Sequence, residues 1–249
     1  METYVAHPVR AAWAARGSRA KALRCACLLL LFAAPAAAQD HLAKLEQELS
    51  AKPDDLKAGN DYRLAVMQAK AYDRGIDFFE SLVTKNPSAS NAFLNYGFQY
   101  VDKIPVAGSI TQVILANNAL TQFSKSLELK PSWIGYYTRG NSYLFWPRIF
   151  GRTRLGIADL EEAMKMQKAE EGKRPYHVRT YIALGDGYWK MADLKKATAI
   201  WQEGLALFPD NDALKKRVSL QGDELATLID AAYDPNKRVD TNLHELWAK

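Results

Sequence analysis

Four segments of the chain repeat one pattern of small and apolar residues at helical spacing. In each, an apolar residue follows a small residue by four positions, and another small or apolar residue follows three positions later. Offsets of three and four place such residues on one face of a helix, where the small residue lets a neighbouring helix approach closely. The pattern therefore predicts four packed helices. The four sets are Gly75, Phe79 and Leu82; Ala119, Phe123 and Ser126; Gly156, Leu160 and Ala163; and Ala197, Trp201 and Gly204.

Proline marks the predicted ends of three of these helices. Pro87, Pro131 and Pro209 each stand twelve residues after the small residue of their segment. Proline lacks the amide hydrogen that a continuing helix needs, and it disfavours the helical conformation in the residue before it. The third segment has Lys168 at the equivalent place, so its end is less clearly marked.

A second pattern precedes three of the four segments. An aromatic residue is followed by glycine after four positions and by another aromatic residue after three more, again on one helical face. These sets are Phe93, Gly97 and Tyr100; Tyr136, Gly140 and Tyr143; and Tyr181, Gly185 and Tyr188. The two patterns in alternation resemble the tetratricopeptide repeat (TPR), and residues 181–209 match its signature without a gap. The resemblance implies an all-α, TPR-type α-solenoid with about four antiparallel helix pairs over residues 56–209.

Flanking helices are predicted on both sides of the repeats, because stacked repeats need polar caps over their apolar ends. Leucines at helical spacing indicate an N-terminal helix within residues 39–55, and a similar pattern indicates one C-terminal capping helix over residues 210–234. Residues 235–249 form a tail with three further apolar residues at helical spacing. The pattern leaves open whether this tail docks onto the repeats or binds another molecule.

Two insertions interrupt the repeats, over residues 103–118 and 146–152. Both are rich in apolar residues, and the second combines aromatic residues with two arginines and a proline. We expect both to be buried within the monomer, since exported proteins seldom leave such patches bare. Exposure would make the second an adhesive loop and the first a surface for self-association, so a homo-oligomer is left open.

The first 38 residues have the organisation of a cleavable signal peptide. A basic stretch ends at Arg24, an apolar run reaches Phe32, and three alanines end at Ala38, where we expect cleavage. The apolar run is shorter than the roughly 20 residues that span a bilayer, so no stable membrane span is expected after cleavage. We therefore predict a periplasmic protein.

The leader also carries most of the net charge of +5, because it holds five basic residues and one acidic residue. The remaining chain has 28 basic and 27 acidic residues, which gives no support for a nucleic-acid partner.

Few residues of the predicted mature chain could carry catalysis. Both cysteines, Cys25 and Cys27, precede residue 38, which excludes disulfides, thiolate metal sites and cysteine nucleophiles thereafter. There is no zinc-protease helix, phosphate-binding glycine loop or serine-hydrolase elbow, and the remaining histidines are far apart. We predict no enzyme activity, catalytic residue, metal or cofactor.

The candidate binding site follows from the resemblance. In TPR proteins the first helices of the pairs line a concave face that binds peptides, and large aromatic side chains are common anchors at interfaces. Carrying these positions onto the chain selects six candidate partner-binding residues: Phe98, Tyr137, Asn141, Phe145, Arg179 and Trp189. The alternative, that the insertions bury these aromatic residues as core, remains open. Tyr137 stands where TPR proteins that grip a carboxyl-terminal tail have lysine, so that clamp is incomplete.

Two functions are compatible with these observations. The first is an exported, non-catalytic interaction module or scaffold that binds a protein or peptide of the bacterial cell envelope through its concave face. The second is an accessory protein for periplasmic small-molecule capture or transport, with an enclosed pocket. A ligand-sized cavity lined by Tyr137, Phe145 and Trp189 would favour the second function, and an open trough the first.

Overall fold

The computed structural model describes residues 40–234 and 237–247, in which every regular element is a helix. The predicted signal peptide lies outside the described residues. The first described element, α1, spans residues 40–51. The packing discussed below concerns residues 44–247. No helix of the described residues has both the length and the apolar character needed to cross a bilayer.

Eight helices form four consecutive pairs joined by short connections, as the repeat pattern predicts. The TPR-type fold prediction is thereby confirmed for this part of the chain. The pairs are α2 (Leu56–Ala69) with α3 (Tyr72–Lys85), α4 (Ser90–Lys103) with α5 (Ser109–Leu129), α6 (Trp133–Leu144) with α7 (Thr153–Ala169), and α8 (Val178–Lys190) with α9 (Leu194–Leu207).

Side-chain oxygens fix the start of several helices. Asp55 Oδ1 accepts from the amide of Ala58 at 3.0 Å, and Ser132 Oγ accepts from the amide of Gly135 at 3.1 Å. Asp193 caps α9 in the same way. The first amides of a helix have no partner within the helix, so these caps stabilise each start by about 1 kcal/mol.

The two sequence patterns meet inside the second and fourth pairs. A Cβ atom added to Gly97 of α4 would lie 2.3 Å from Cε1 of Phe123 on α5. One added to Gly185 of α8 would lie 2.2 Å from Nε1 of Trp201 on α9. In these two pairs the glycine of the first helix makes room for an aromatic ring of the second, and both rings are buried. In the third pair Gly140 of α6 lies instead against Gly156 and Leu160 of α7. These close approaches are the physical reason for the small residues in the pattern.

The predicted single capping helix over residues 210–234 is divided in the structure. Helix α10 spans Asp212–Ser219, and helix α11 spans Gly222–Ala232. Leu220 is extended, and Gly222 has a φ of +52°, a conformation that glycine adopts most easily. The apolar periodicity continues through this break, which is why the sequence pattern indicated one helix.

The insertions are partly exposed, which corrects the expectation that both are buried. The first forms a short 3₁₀ turn, Ile104–Val106, and lengthens α5, on which Ile110 is 81% exposed. The second contains the 3₁₀ turn Arg148–Phe150 and leaves Ile149 89% exposed. The aromatic ring of Trp146 packs instead beneath Arg152, with 3.6 Å between the guanidinium carbon and the ring centroid.

Candidate functional site

The carboxyl-terminal tail docks onto the first helices of the repeats, a point that the sequence left open. Arg63 Nη2 on α2 donates to the main-chain carbonyl of Thr241 at 2.9 Å. The amide of Leu243 donates to Asn60 Oδ1 at 3.0 Å, and the hydroxyl of Thr241 donates to Asp102. Thr241 and Leu243 are both buried. Residues 237–247, called the docked tail below, therefore form part of the wall of any site on this face.

Arg63 organises this contact from the protein core. Its side chain is fully buried and donates to Asn95 Oδ1 at 3.0 Å and to Asp102 Oδ2 at 2.8 Å. Its guanidinium carbon also lies 4.7 Å from the ring centroid of Phe98. A buried charge is costly unless it is paired and hydrogen-bonded, and the Thr241 carbonyl completes the set of acceptors for Arg63.

The other end of the docked tail contacts α8. Arg179 Nε forms an ion pair with Glu245 Oε1 at 2.7 Å, and both side chains are about one-third exposed. Arg238 Nη2, near the start of the tail, donates to the hydroxyl of Tyr72 at 3.2 Å. The tail is thus attached to the first, second and fourth helix pairs.

A cavity of about 850 Å³ lies between the first helices, the two insertions and the docked tail. Most of its wall is apolar, and its basic side chains outnumber its acidic ones. The helices contribute Phe98, Val101, Val113 and Ala116 from α4 and α5, Trp133, Ile134, Tyr137 and Asn141 from α6, and Arg179, Lys190 and Asp230 from α8 and α11. The second insertion and the residue before it contribute Phe145, Trp146, Arg148, Phe150 and Arg152. The remaining lining consists of Tyr233 and the tail residues Val239, Asp240, Thr241, Leu243, Glu245 and Leu246.

Five of the six residues predicted from the TPR resemblance line this cavity: Phe98, Tyr137, Asn141, Phe145 and Arg179. Trp189 does not. Arg148 of the second insertion covers its ring at 5.3 Å from guanidinium carbon to centroid, and Trp189 packs against the core of the last helices. A second cavity of about 330 Å³ shares Tyr137, Asn141, Phe145 and Arg179 with the first.

The aromatic part of the wall is held by contacts outside the cavity. The rings of Trp133 and Tyr137 are stacked with centroids 5.2 Å apart and an interplanar angle of 2°. Trp133 Nε1 donates to Gln167 Oε1 at 3.0 Å and to Thr180 Oγ1 at 3.1 Å, which fixes the indole. Burial raises the pKa of Tyr137, so its hydroxyl stays neutral and remains a donor.

The opposite part of the wall carries basic groups. Lys190 Nζ donates to the main-chain carbonyl of Leu144 at 2.6 Å and lies 4.2 Å from the ring centroid of Tyr233. Burial lowers the pKa of Lys190, the charges of Asp186 and Asp230 oppose this shift, and the charge of Arg148 adds to it. Asp186, the closest buried acid on α8, is held at 2.6 and 2.7 Å by Arg217.

Sequence reasoning missed Arg63 as the residue that holds the tail, because no pattern links it to Thr241. The apolar spacing of Leu243 and Leu246 was a signal that the tail would dock. Within residues 40–234 and 237–247, no group of three His, Cys, Asp or Glu side chains is arranged to hold a metal ion. The arrangement of apolar wall, aromatic rings and a few charged groups is suited to binding.

Comparisons with known proteins identify the fold. No family model and no curated protein matches the sequence. Among solved structures, TTC0263, a thermophilic TPR protein of Thermus thermophilus, aligns with a TM-score of 0.53 and 18% identity, over 80% of this chain and 96% of that chain. MamA aligns with a TM-score of 0.48 and 14% identity, over 75% of this chain and 89% of that one. MamA of AMB-1 aligns with a TM-score of 0.48 and 17% identity, covering 75% and 90%. The repeated helix pairs and the likeness to TTC0263 show that this chain has an all-α, TPR-type fold.

Proposed function

We propose that the protein is an exported, non-catalytic scaffold that binds a protein or peptide of the bacterial cell envelope through its concave face. The observation that carries this proposal is the shared cavity wall, to which α4, α6 and α8 contribute Phe98, Tyr137 and Arg179. Aromatic and arginine side chains around a concave surface are typical anchors for a partner.

The docked tail gives the proposal further support. Its main chain is bound by Asn60 and Arg63, and its Glu245 is bound by Arg179. These first helices therefore offer hydrogen-bonding groups suited to an irregular peptide segment. A partner peptide that used the same groups would have to displace the tail, whereas one that used the aromatic wall would bind beside it.

The test is capture of envelope proteins by the immobilised mature chain. Tyr137→Ala removes a ring from the cavity wall, and we expect it to reduce capture of a specific partner at least about tenfold, as for a central interface residue. The matched control is Tyr136→Ala, which removes the neighbouring tyrosine of the same helix, outside the cavity lining. Both variants are compared for helix content by circular dichroism. Equal capture by the two variants would contradict the use of this face.

Export is tested separately from binding. The mature protein is located by fractionation and its amino terminus is sequenced, with Gln39 expected as the first residue. A cytoplasmic protein that retains residues 1–38 would refute the periplasmic assignment without affecting the binding proposal.

A second candidate function is favoured by the size of the cavity. A volume of about 850 Å³ lies within the range of roughly 300–1,000 Å³ that is usual for small-molecule sites. The docked tail supplies one wall of this cavity, with Val239, Leu243 and Leu246. Mass spectrometry of the protein purified from the periplasm under native conditions tests this function, with a bound small molecule as the expected result.

A further inference from the structure

Several basic side chains of the cavity wall form no ion pair among the described residues. Among the described residues, no carboxylate forms an ion pair with Lys190, Arg148 or Arg152. Three acidic residues also line the cavity: Asp230, Asp240 and Glu245. Of these, Glu245 is occupied by Arg179. The five basic side chains of the lining thus outnumber its three acidic ones.

Lys190 is the most enclosed of these cations. An ammonium group has three N–H donors, and the Leu144 carbonyl accepts one of them. The Tyr233 ring lies on another side of the ammonium. Asp186 is bound at both oxygens by Arg217, so it is already engaged by another cation. A partly buried cation with unused donors favours an anionic ligand, because charge-assisted hydrogen bonds are the strong ones.

The two arginines of the second insertion add to the positive charge of the cavity wall. Arg152 lies over the Trp146 ring and donates to Asn117 Oδ1 at 3.0 Å, which connects the insertion to α5. Arg148 lies over the Trp189 ring. The aromatic rings orient both guanidinium groups without neutralising them. Trp189 directly precedes Lys190 in α8, and Lys190 and Arg148 both line the cavity. An anion bound at this end of the cavity would contact both cations.

The rest of the wall is suited to an alkyl chain. The lining includes aliphatic residues of α4, α5, α6 and the docked tail: Val101, Val113, Ala116, Ile134, Leu243 and Leu246. Phe150 and Val113 belong to the lining and are also 56% and 51% exposed. Apolar surface thus continues from the inside of the cavity to the solvent, which gives an apolar chain a route of entry.

We propose that the cavity binds a single-chain anionic amphiphile, a long-chain carboxylate, with its carboxylate between Lys190 and Arg148 and its chain along the aliphatic wall. This inference rests on the second candidate function and names its ligand class. The charge and the apolar wall together favour this class over a neutral lipid, which would leave the cations unpaired. They also favour it over a short hydrophilic anion, which would leave the wall empty.

The experiment measures binding of palmitate to the delipidated mature protein by isothermal titration calorimetry, with hexadecanol as the neutral probe of equal chain length. Palmitate is expected to bind with one-to-one stoichiometry and at least about tenfold more tightly than hexadecanol. Lys190→Met keeps an unbranched apolar side chain without the charge. We expect it to weaken palmitate binding at least about tenfold and to leave hexadecanol binding unchanged.

Lys196→Met is the control variant, since Lys196 lies on α9 outside the cavity and is largely exposed. Circular dichroism and thermal melting establish that each variant is folded, and Lys190→Gln serves as a second variant if Lys190→Met is not. Equal binding of palmitate and hexadecanol, or no effect at Lys190, would overturn the anionic assignment.

Failure of both probes to bind would overturn the amphiphile proposal entirely. The second candidate function would still stand if native mass spectrometry detected a different small molecule on the protein purified from the periplasm. The two failures are therefore distinguishable.

Discussion

Arg63 on α2 donates to the main-chain carbonyl of Thr241 across 2.9 Å, although 178 residues separate them in the sequence. Asp102 on α4 accepts from both residues, from the guanidinium of one and the hydroxyl of the other. This contact attaches the docked tail to the first two helix pairs. Because the same tail also lines the cavity, a buried ion pair near one end of the repeats contributes to the wall of the binding site.

Removal of Arg63 should be strongly destabilising. In Arg63→Met the Asp102 carboxylate stays in the core without its cation, and breaking such a buried pair costs about 3–5 kcal/mol. Urea unfolding followed by circular dichroism measures the loss. The double variant Arg63→Met/Asp102→Leu should recover much of it, because no unpaired charge is then left buried.

The control for this prediction is Arg74→Met. Arg74 donates twice to Glu46, at 2.8 and 2.9 Å, but its side chain is 34% exposed. A pair this accessible to solvent contributes about 1 kcal/mol or less. Equal destabilisation by Arg63→Met and Arg74→Met would contradict the role assigned to the buried network.

Gly185→Ala tests the contact between paired helices. The added Cβ would lie 2.2 Å from Trp201 Nε1, so the buried indole or the helix must move. We expect a loss of about 1–3 kcal/mol in the free energy of unfolding, despite the higher helix propensity of alanine. Gly108→Ala is the matched control, since nothing lies within 4 Å of its Cβ position and its φ is −71°. A neutral Gly185→Ala would show that the helices pack less closely.

The exposure of the second insertion can be tested by paired substitutions on either side of Pro147. Ile149→Ser should change the free energy of unfolding by less than about 0.5 kcal/mol, because the side chain is mostly in solvent. Leu144→Ala, at a fully buried position, should cost about 2–5 kcal/mol. Thermal melts of both variants provide the comparison. A large loss in Ile149→Ser would mean that the insertion is packed, as its apolar composition predicts.

His177 should make the stability of the protein depend on pH. The side chain is 4% exposed, and its Nε2 lies 3.4 Å from Glu170 Oε2 but forms no hydrogen bond among the described residues. Burial lowers the pKa of His177 below its ordinary value of 6.5, with Arg174 acting in the same direction and Glu170 opposing it. As the pH falls below 6.5, the unfolded chain takes up a proton that the folded protein still excludes. The unfolding free energy therefore falls until the pKa of the folded state is passed.

His177→Gln should reduce this pH dependence, by about 1.4 kcal/mol for each unit of pKa difference removed. Urea unfolding at intervals between about pH 8 and pH 5 measures it, across the range in which an ordinary histidine titrates. His244→Gln, at an exposed position in the docked tail, should behave like the unaltered protein. Parallel curves for His177→Gln and the unaltered protein would exclude this histidine as the source.

Local patterns predicted the repeats well and the flanking parts less well. The repeated residues stand at fixed offsets within each helix, as Gly97 and Tyr100 do in α4 and Ala197 and Trp201 do in α9, so the helices could be predicted from spacing alone. The break before Gly222 was missed, since apolar periodicity passes through it. The insertions were expected to be buried because they are apolar, yet Ile110 and Ile149 lie mostly in solvent, since their burial depends on contacts that no local pattern fixes.

The residues of the candidate site were also predicted only in part. The resemblance to TPR proteins selected Phe98, Tyr137 and Arg179 from positions on the first helices, and these side chains line one cavity. It also selected Trp189, which Arg148 covers. No rule of spacing could indicate that cover, because it comes from an insertion that the ordinary repeat lacks.

The series of paired helices could be predicted from local patterns, because helix formation depends on residues a few positions apart. The cavity, the charge of its lining and the wall formed by the tail became known from the folded structure. Those properties depend on contacts such as Arg63 with Thr241 and Arg179 with Glu245. These contacts join distant parts of the chain, so no periodic pattern in the sequence predicts them.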